Sequence, residues 1–183
     1  MARVLIPLAQ GCEELEAVTI IDLLRRAGIE VVVAGLQEGL VKCSRGTVLM
    51  PDSVLEDVKD EHFDMIVLPG GLPGADHLDA DPRIHQLLRD MADQGRYTAA
   101  ICAAPKVLGS AGLLDGRTAT SYPGVLEPDQ FGQTVLSEQA VVTDGSVITS
   151  RGPGTAMDFA LKLIEVLLGA EKRREVEAPL VRP

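Results

Sequence analysis

Short apolar runs alternate with helix-length amphipathic stretches along almost all of this 183-residue chain, and that alternation narrows its fold most. Arg3–Leu8, Glu30–Leu36, Phe63–Leu68 and Tyr97–Ile101 are rich in aliphatic residues and too short for helices, so each predicts a buried strand. Between Arg3–Leu8 and Glu30–Leu36, Glu13–Ala27 places Ala17, Ile20, Ile21, Leu24 and Ala27 on a helical stripe, and Gly28 closes it. A further helix opens at Asp81-Pro82 and runs to Gly95, and Thr155–Leu168 sets Phe159, Leu163, Val166 and Leu167 on one side. Val41–Met50, broken at Ser44-Arg45-Gly46, predicts a hairpin or bent edge segment, and Thr118–Ser121 another strand. Val141–Thr143 and Val147–Ser150 flank Asp144-Gly145, a two-residue hairpin signal. Strands separated by helices pair in parallel. The expected fold is therefore α/β: one doubly wound sandwich over residues 1–183, a mostly parallel sheet with helices on both faces. Hydrophobic residues make up 46% and aromatics only 3%, which suits a helix-covered parallel sheet better than an aromatic-rich β-sandwich.

Charge and cysteine usage exclude several classes. The formal net charge is −10, and such an acidic surface repels phosphate backbones, so electrostatic nucleic-acid binding is not expected. The cysteines are Cys12, Cys43 and Cys102; the odd number and the lack of a CxxC argue against a disulfide framework or a structural metal site. Free thiols point to a reducing compartment, read as cytoplasmic. The first apolar run is too short for a signal peptide, and no stretch reaches the roughly 18 apolar residues of a membrane span.

In a doubly wound sheet, ligands bind beyond the carboxyl ends of the strands, where the strand order reverses. Three strand ends carry distinctive chemistry: Gln10-Gly11-Cys12-Glu13-Glu14-Leu15-Glu16, Gly70-Gly71, and Cys102. Cys102 stands between Tyr97–Ile101 and the helix start Ala103-Ala104-Pro105, the layout of a nucleophile elbow. The positive end of the new helix favours thiolate; a shift of two or three pKa units, about 3–4 kcal/mol, would ionise most of a thiol that is otherwise only a few per cent thiolate. A free cysteine is by type a buried residue, and Cys12 and Cys43, which lack such a turn, are read that way.

Glu16 shares an inward-turning helix face with Ile20, and a half-buried carboxyl beside a thiol has a raised pKa and moves protons. Glu13 is read as favouring the positive helix end. Gly70-Gly71 is followed by neither a P-loop nor a dinucleotide motif, so its amides, as an alternative to a plain tight turn, read as an oxyanion site. No histidine adjoins Cys102; His77, in an Asp-rich stretch, is read beside helix-capping aspartates rather than as a metal ligand. Arg45 and Arg151 each end a strand-like run and suit a carboxylate or a partner chain.

Several stretches together resemble one family. They are Gly11-Cys12-Glu13-Glu14-Leu15-Glu16, Arg25-Arg26-Ala27-Gly28-Ile29, Cys43-Ser44-Arg45, Val67-Leu68-Pro69-Gly70-Gly71, Ala99-Ala100-Ile101-Cys102-Ala103-Ala104-Pro105 and Thr149-Ser150-Arg151-Gly152-Pro153-Gly154-Thr155. From Arg3 to Val181 the chain resembles the ThiJ/PfpI superfamily, most closely its parkinsonism-associated deglycase branch. The resemblance implies a flavodoxin-like fold, a homodimer and no cofactor or metal. It implies Cys102 as the oxidation-sensitive nucleophile, Glu16 as its protonated partner, and Gly71 and Ala103 as amides facing the site. Arg45 and Arg151 correspond to an arginine pair near the site and the subunit contact. The implied activities are glyoxalase, deglycase of glycated proteins or nucleotides, and oxidative-stress chaperone. Tyr122 stands where the human-type branch has a histidine, and Ala103 where the protease-like branch has one. A tyrosine hydroxyl ordinarily ionises near pH 10 and is no base at neutral pH, so proton transfer falls to Glu16. Two functional expectations follow: a cysteine-dependent enzyme acting on methylglyoxal-type aldehydes, or a sensor in which Cys102 is oxidised to a sulfinate held by Glu16.

Overall fold

A computed structural model describes residues 1–182 of the chain. The chain forms β1 (Arg3–Leu8), α1 (Glu14–Arg26), β2 (Glu30–Gly35), a small hairpin of β3 (Val41–Lys42) and β4 (Val48–Leu49), then β5 (Ser53–Val54) and α2 (Leu55–Val58). Next come β6 (Met65–Leu68), α3 (Gly74–Ala80), α4 (Pro82–Asp93), β7 (Tyr97–Ile101) and α5 (Pro105–Ser110). The remainder holds β8 (Thr118–Ala119), β9 (Val135–Leu136), β10 (Val141–Asp144), β11 (Val147–Ser150), α6 (Ala156–Leu168) and α7 (Ala170–Glu177).

Seven strands form the central sheet in the order β10-β11-β7-β6-β1-β2-β5, parallel except for β10 against β11. On β1, Val4, Ile6 and Leu8 face one hydrophobic layer with α1 and α6, while Leu5 joins the opposite layer with Ile84 and Leu88 of α4. Both faces are covered, which is why the strands read as continuous apolar runs rather than alternating ones. The order reverses beside β1, with β2 on one side and β6 on the other, so the carboxyl ends of β1, β6 and β7 meet at the switch.

Local chemistry starts and stops the elements. Glu13 caps α1, its carboxylate accepting from the Glu16 N–H at 2.7 Å, while Glu14 and Glu16 sit in the positive first turn and Arg25 and Arg26 in the last. Asp81 caps α4 from just ahead of Pro82. Several segments differ from the sequence reading; the charged tail, for one, forms α7. Gly74–Ala80 is helical despite a poor helix-forming start, because Ala75 and Leu78, one turn apart, are fully buried. The helix after Cys102 begins at Pro105 rather than Ala103. Thr118–Ala119 joins β9 in a separate two-stranded sheet; the Thr118 and Thr120 amides bond to the Asp144 and Thr149 side chains instead of entering the central ladder.

Candidate active site

The strand ends at the switch point bring Cys102, Glu16 and Gly70-Gly71 together. Cys102 has φ of +64°, a left-handed conformation that a non-glycine residue adopts at a cost. Its neighbours hold it there: the Cys102 N–H donates to the Ser150 carbonyl at 3.0 Å, and the Cys102 carbonyl accepts from the Tyr122 N–H at 2.9 Å. The elbow is thus stitched to the end of β11 and to the Ser121–Pro123 segment, and Cys102 as a residue keeps 8% exposure.

Glu16 is fully buried in the first turns of α1. Its Oε2 accepts the Gly70 N–H at 2.9 Å, while Oε1 is buried without a hydrogen-bond partner. Burial lifts the carboxyl from 4.5 to about 7, partly offset by Cys102 and the Gly70 amide. The Cys102 thiol is pushed up to about 12 by burial first and then by the charge and hydrogen bonding of Glu16, against the pull of the Gly71 and Ala103 amides. The two groups therefore titrate as a pair, and the thiolate is favoured when the neighbouring proton sits on Glu16. The elbow fits the sequence reading. The ionisation departs from it: α5 is six residues long, and the pull toward thiolate comes from two backbone amides that burial and Glu16 oppose.

Glycine is required at the turn after β6. A Cβ on Gly70 would lie 2.6 Å from the Cys102 Cβ and 2.8 Å from Glu16 Oε2, so any side chain would part the thiol from the carboxyl. Gly71 has φ of +89°, which lets its amide turn toward the sulfur.

The thiol opens into a cavity of about 380 Å³ lined by Glu13, Ser44, Arg45, Gly71, Leu72, Cys102, Ala103, Tyr122, Val125 and Pro153. Arg45 and Tyr122 thus stand in the wall of this cavity. Arg151 does not; its guanidinium donates to the Glu138 carbonyl at 3.2 Å. Sequence reading passed over Glu13, Ser44, Leu72, Val125 and Pro153 as wall residues; only the Glu13–Glu16 capping spacing offered a signal. Nor did it find that Glu14 anchors the hairpin loop, its carboxylate accepting from Ser44 Oγ and from the Arg45 and Thr47 N–H groups at 3.0–3.3 Å. A larger cleft of about 580 Å³ beyond β1 and β2 is lined by Gln10, His77 and Arg83. Its Arg83 is already paired with Asp81 and Glu56, its His77 is bonded to the Gln10 carbonyl, and no thiol reaches it.

A flavodoxin-like α/β sandwich with a strained cysteine elbow, a buried carboxyl and convergent amides defines a class of cysteine-centred proteins. A sequence profile of the DJ-1/PfpI family matches residues 2–166. The chain belongs to that family. It is 46% identical over 178 residues to Protein dj-1beta of Drosophila melanogaster, covering 97% of this chain and 95% of the relative. The crystal structure of Drosophila melanogaster DJ-1beta superposes with a TM-score of 0.94 at 45% identity, covering 100% of this chain and 98% of that one. A Caenorhabditis elegans relative named glutathione-independent glyoxalase DJR-1.2 is 40% identical over 179 residues, 98% of this chain and 95% of its own length. Toxoplasma gondii DJ-1, solved in an oxidized form, superposes with a TM-score of 0.92 at 40% identity, covering 99% and 98% of the two chains.

Proposed function

We propose that the protein is a cofactor-independent glyoxalase and deglycase, acting on methylglyoxal-type aldehydes or their early adducts on proteins or nucleotides. The observation that carries this reading is a thiol and a proton-exchanging carboxyl, buried together at one elbow beneath an open cavity. Cys102 sulfur attacks the aldehyde carbon as Glu16 takes the thiol proton; the Gly71 and Ala103 amides hold the oxygen that becomes negative. Glu16 returns that proton to the oxygen, giving a hemithioacetal. It then removes the hydrogen on the former aldehyde carbon as a proton, giving an enediolate, and delivers it to the adjacent carbon, while the hydroxyl proton on the first oxygen passes to the neighbouring oxygen. The resulting thioester is hydrolysed by water, releasing lactate and the free thiol, so that methylglyoxal plus water equals lactate. A carboxyl at about pKa 7 populates both forms near neutral pH, as a group that both takes and gives a proton must. A relative named as a glyoxalase supports the assignment.

Methylglyoxal consumption and lactate release by wild type, Cys102→Ser and Glu16→Ala test it. Loss of activity is expected in Cys102→Ser, with a fall of about 10²–10⁴-fold in Glu16→Ala; equal rates in all three would overturn the reading.

A second reading, redox sensing or redox-controlled chaperoning through Cys102, is favoured by the buried Glu16 carboxyl beside the thiol, which when protonated would bond an oxygen added there. A relative solved in an oxidized form lends it support. Intact mass after mild peroxide is expected to show two added oxygens on Cys102; oxidation of Cys12 or Cys43 ahead of it removes this reading. The working unit is taken to be a homodimer, and no helix among the described residues is long and apolar enough to cross a membrane.

A further inference from the structure

Cys12 and Cys43 are remote in sequence yet meet in the fold, their sulfurs 3.5 Å apart. Cys12 lies in the turn between β1 and α1, and Cys43 follows β3; both are buried, at 1% and 4% exposure. Two backbone bonds hold these segments side by side: the Gly11 N–H to the Lys42 carbonyl and the Ser44 N–H to the Cys12 carbonyl, each at 2.8 Å. The sulfurs are in contact and the two segments are joined by backbone bonds, which keeps the thiols within reach of each other. The residues beside each thiol form the cavity wall above Cys102, Glu13 on one segment and Ser44 and Arg45 on the other.

We propose that Cys12 and Cys43 are a second redox site, a dithiol that a hydroperoxide converts to an intramolecular disulfide, stapling the hairpin loop to the turn ahead of α1. Either thiol can donate in that contact, and burial raises both, with the Glu14 charge adding to it. Cys43, the more exposed of the two, is the attacking sulfur once the loop opens. It attacks one peroxide oxygen, the O–O bond breaks, and a sulfenic acid forms as the second oxygen leaves as water or alcohol. The Cys12 thiolate then attacks the sulfenic sulfur, the S–O bond breaks and water leaves. Two thiols and one hydroperoxide become one disulfide, one water and one water or alcohol; the two electrons lost by sulfur reduce the peroxide. The staple fixes the wall that Ser44 and Arg45 present to whatever enters the cavity.

The test is graded hydrogen peroxide on full-length wild type and Cys102→Ser, with alkylation under denaturing conditions and non-reducing peptide mapping. The expected result in both is a peptide linking Cys12 to Cys43, lighter by two hydrogens and released by dithiothreitol. The linked form should melt about 5–10 °C higher, since the bond closes a loop between positions 31 apart. The Arg45 and Thr47 amides should exchange at least about tenfold more slowly. Cys12→Ala and Cys43→Ser should each abolish the link while leaving oxidation of Cys102 intact. Both thiols still open to alkylation after peroxide has exhausted Cys102 would overturn the proposal, as would separate over-oxidation or a link from either thiol to Cys102. Because Cys102→Ser must still form the link, its failure is distinct from failure of the Cys102 chemistry.

Discussion

Glu16 shows how one residue couples function to stability. Its carboxyl titrates at about 7 when folded against 4.5 ordinarily, because burial disfavours its charge. The folded protein therefore holds this proton more tightly than the unfolded chain. The stability contribution is complete below about pH 4.5, falls as pH rises, and is gone above about pH 7, a loss on the order of 3 kcal/mol. Glu16→Gln, always neutral, should lack this slope; denaturant unfolding of both proteins at about pH 5 and about pH 8 measures it, and parallel changes in the two would contradict it. The same pairing governs reactivity. Alkylation of Cys102 in wild type should show an inflection near pH 7 from Glu16 as well as the thiol's own rise, and Glu16→Gln should retain only the rise. An unchanged profile would mean that the two groups do not share protons.

At the scale of elements, the hairpin between β3 and β4 is tied to α1 by a single carboxylate. Glu14 satisfies two loop amides and a hydroxyl, and burial of the carboxyl is outweighed by these bonds, which hold its pKa below the usual range. Glu14→Ala should leave α1 folded and speed hydrogen exchange at Arg45 and Thr47 by about tenfold, the equivalent of roughly 1.4 kcal/mol of local opening. Exchange rates matching wild type would show that the hairpin holds itself. The elements differ in how readable they were. The buried parallel strands and α1 announce themselves by composition, periodicity and caps. α3 does not, because its stability comes from burying its own Ala75 and Leu78 rather than from the helix propensity of its sequence. Thr118–Ala119 reads as a strand and is one, but the side chains of Asp144 and Thr149 decide which sheet it joins.

At the scale of the molecule, one apolar face is left uncovered. Leu15 and Val18 of α1 are 51% and 45% exposed, and Val48 and Met50 at the hairpin are 54% and 82% exposed. Val18, Ile21, Leu49 and Met50 line one shallow depression there, which a second copy of the chain would cover. If the homodimer that the resemblance implies forms, this is the surface we propose for it. Val18→Asp combined with Met50→Asp should halve the mass measured by light scattering while leaving the far-ultraviolet circular dichroism intact. A dimeric double variant would place the interface elsewhere.

Sequence alone determined the layered α/β fold and the strand-to-helix turn at Cys102, and it marked Cys102, Glu16 and Gly70-Gly71 as candidates, because periodicity, caps and turn residues are local signals. Contacts between residues distant in the chain were decided only in three dimensions. The sequence shows Cys12 and Cys43 as separate buried residues, whereas folding sets them sulfur to sulfur. It marks Arg45 and Arg151 alike, whereas folding sets one in the cavity wall and turns the other to the Glu138 carbonyl. It places Cys102 at a helix start that favours thiolate, whereas burial and the nearby carboxyl act against that charge. The physical reason is common to all three: ionisation and pairing depend on what surrounds a side chain within a few ångströms, and in this protein most of those neighbours come from segments distant in the chain.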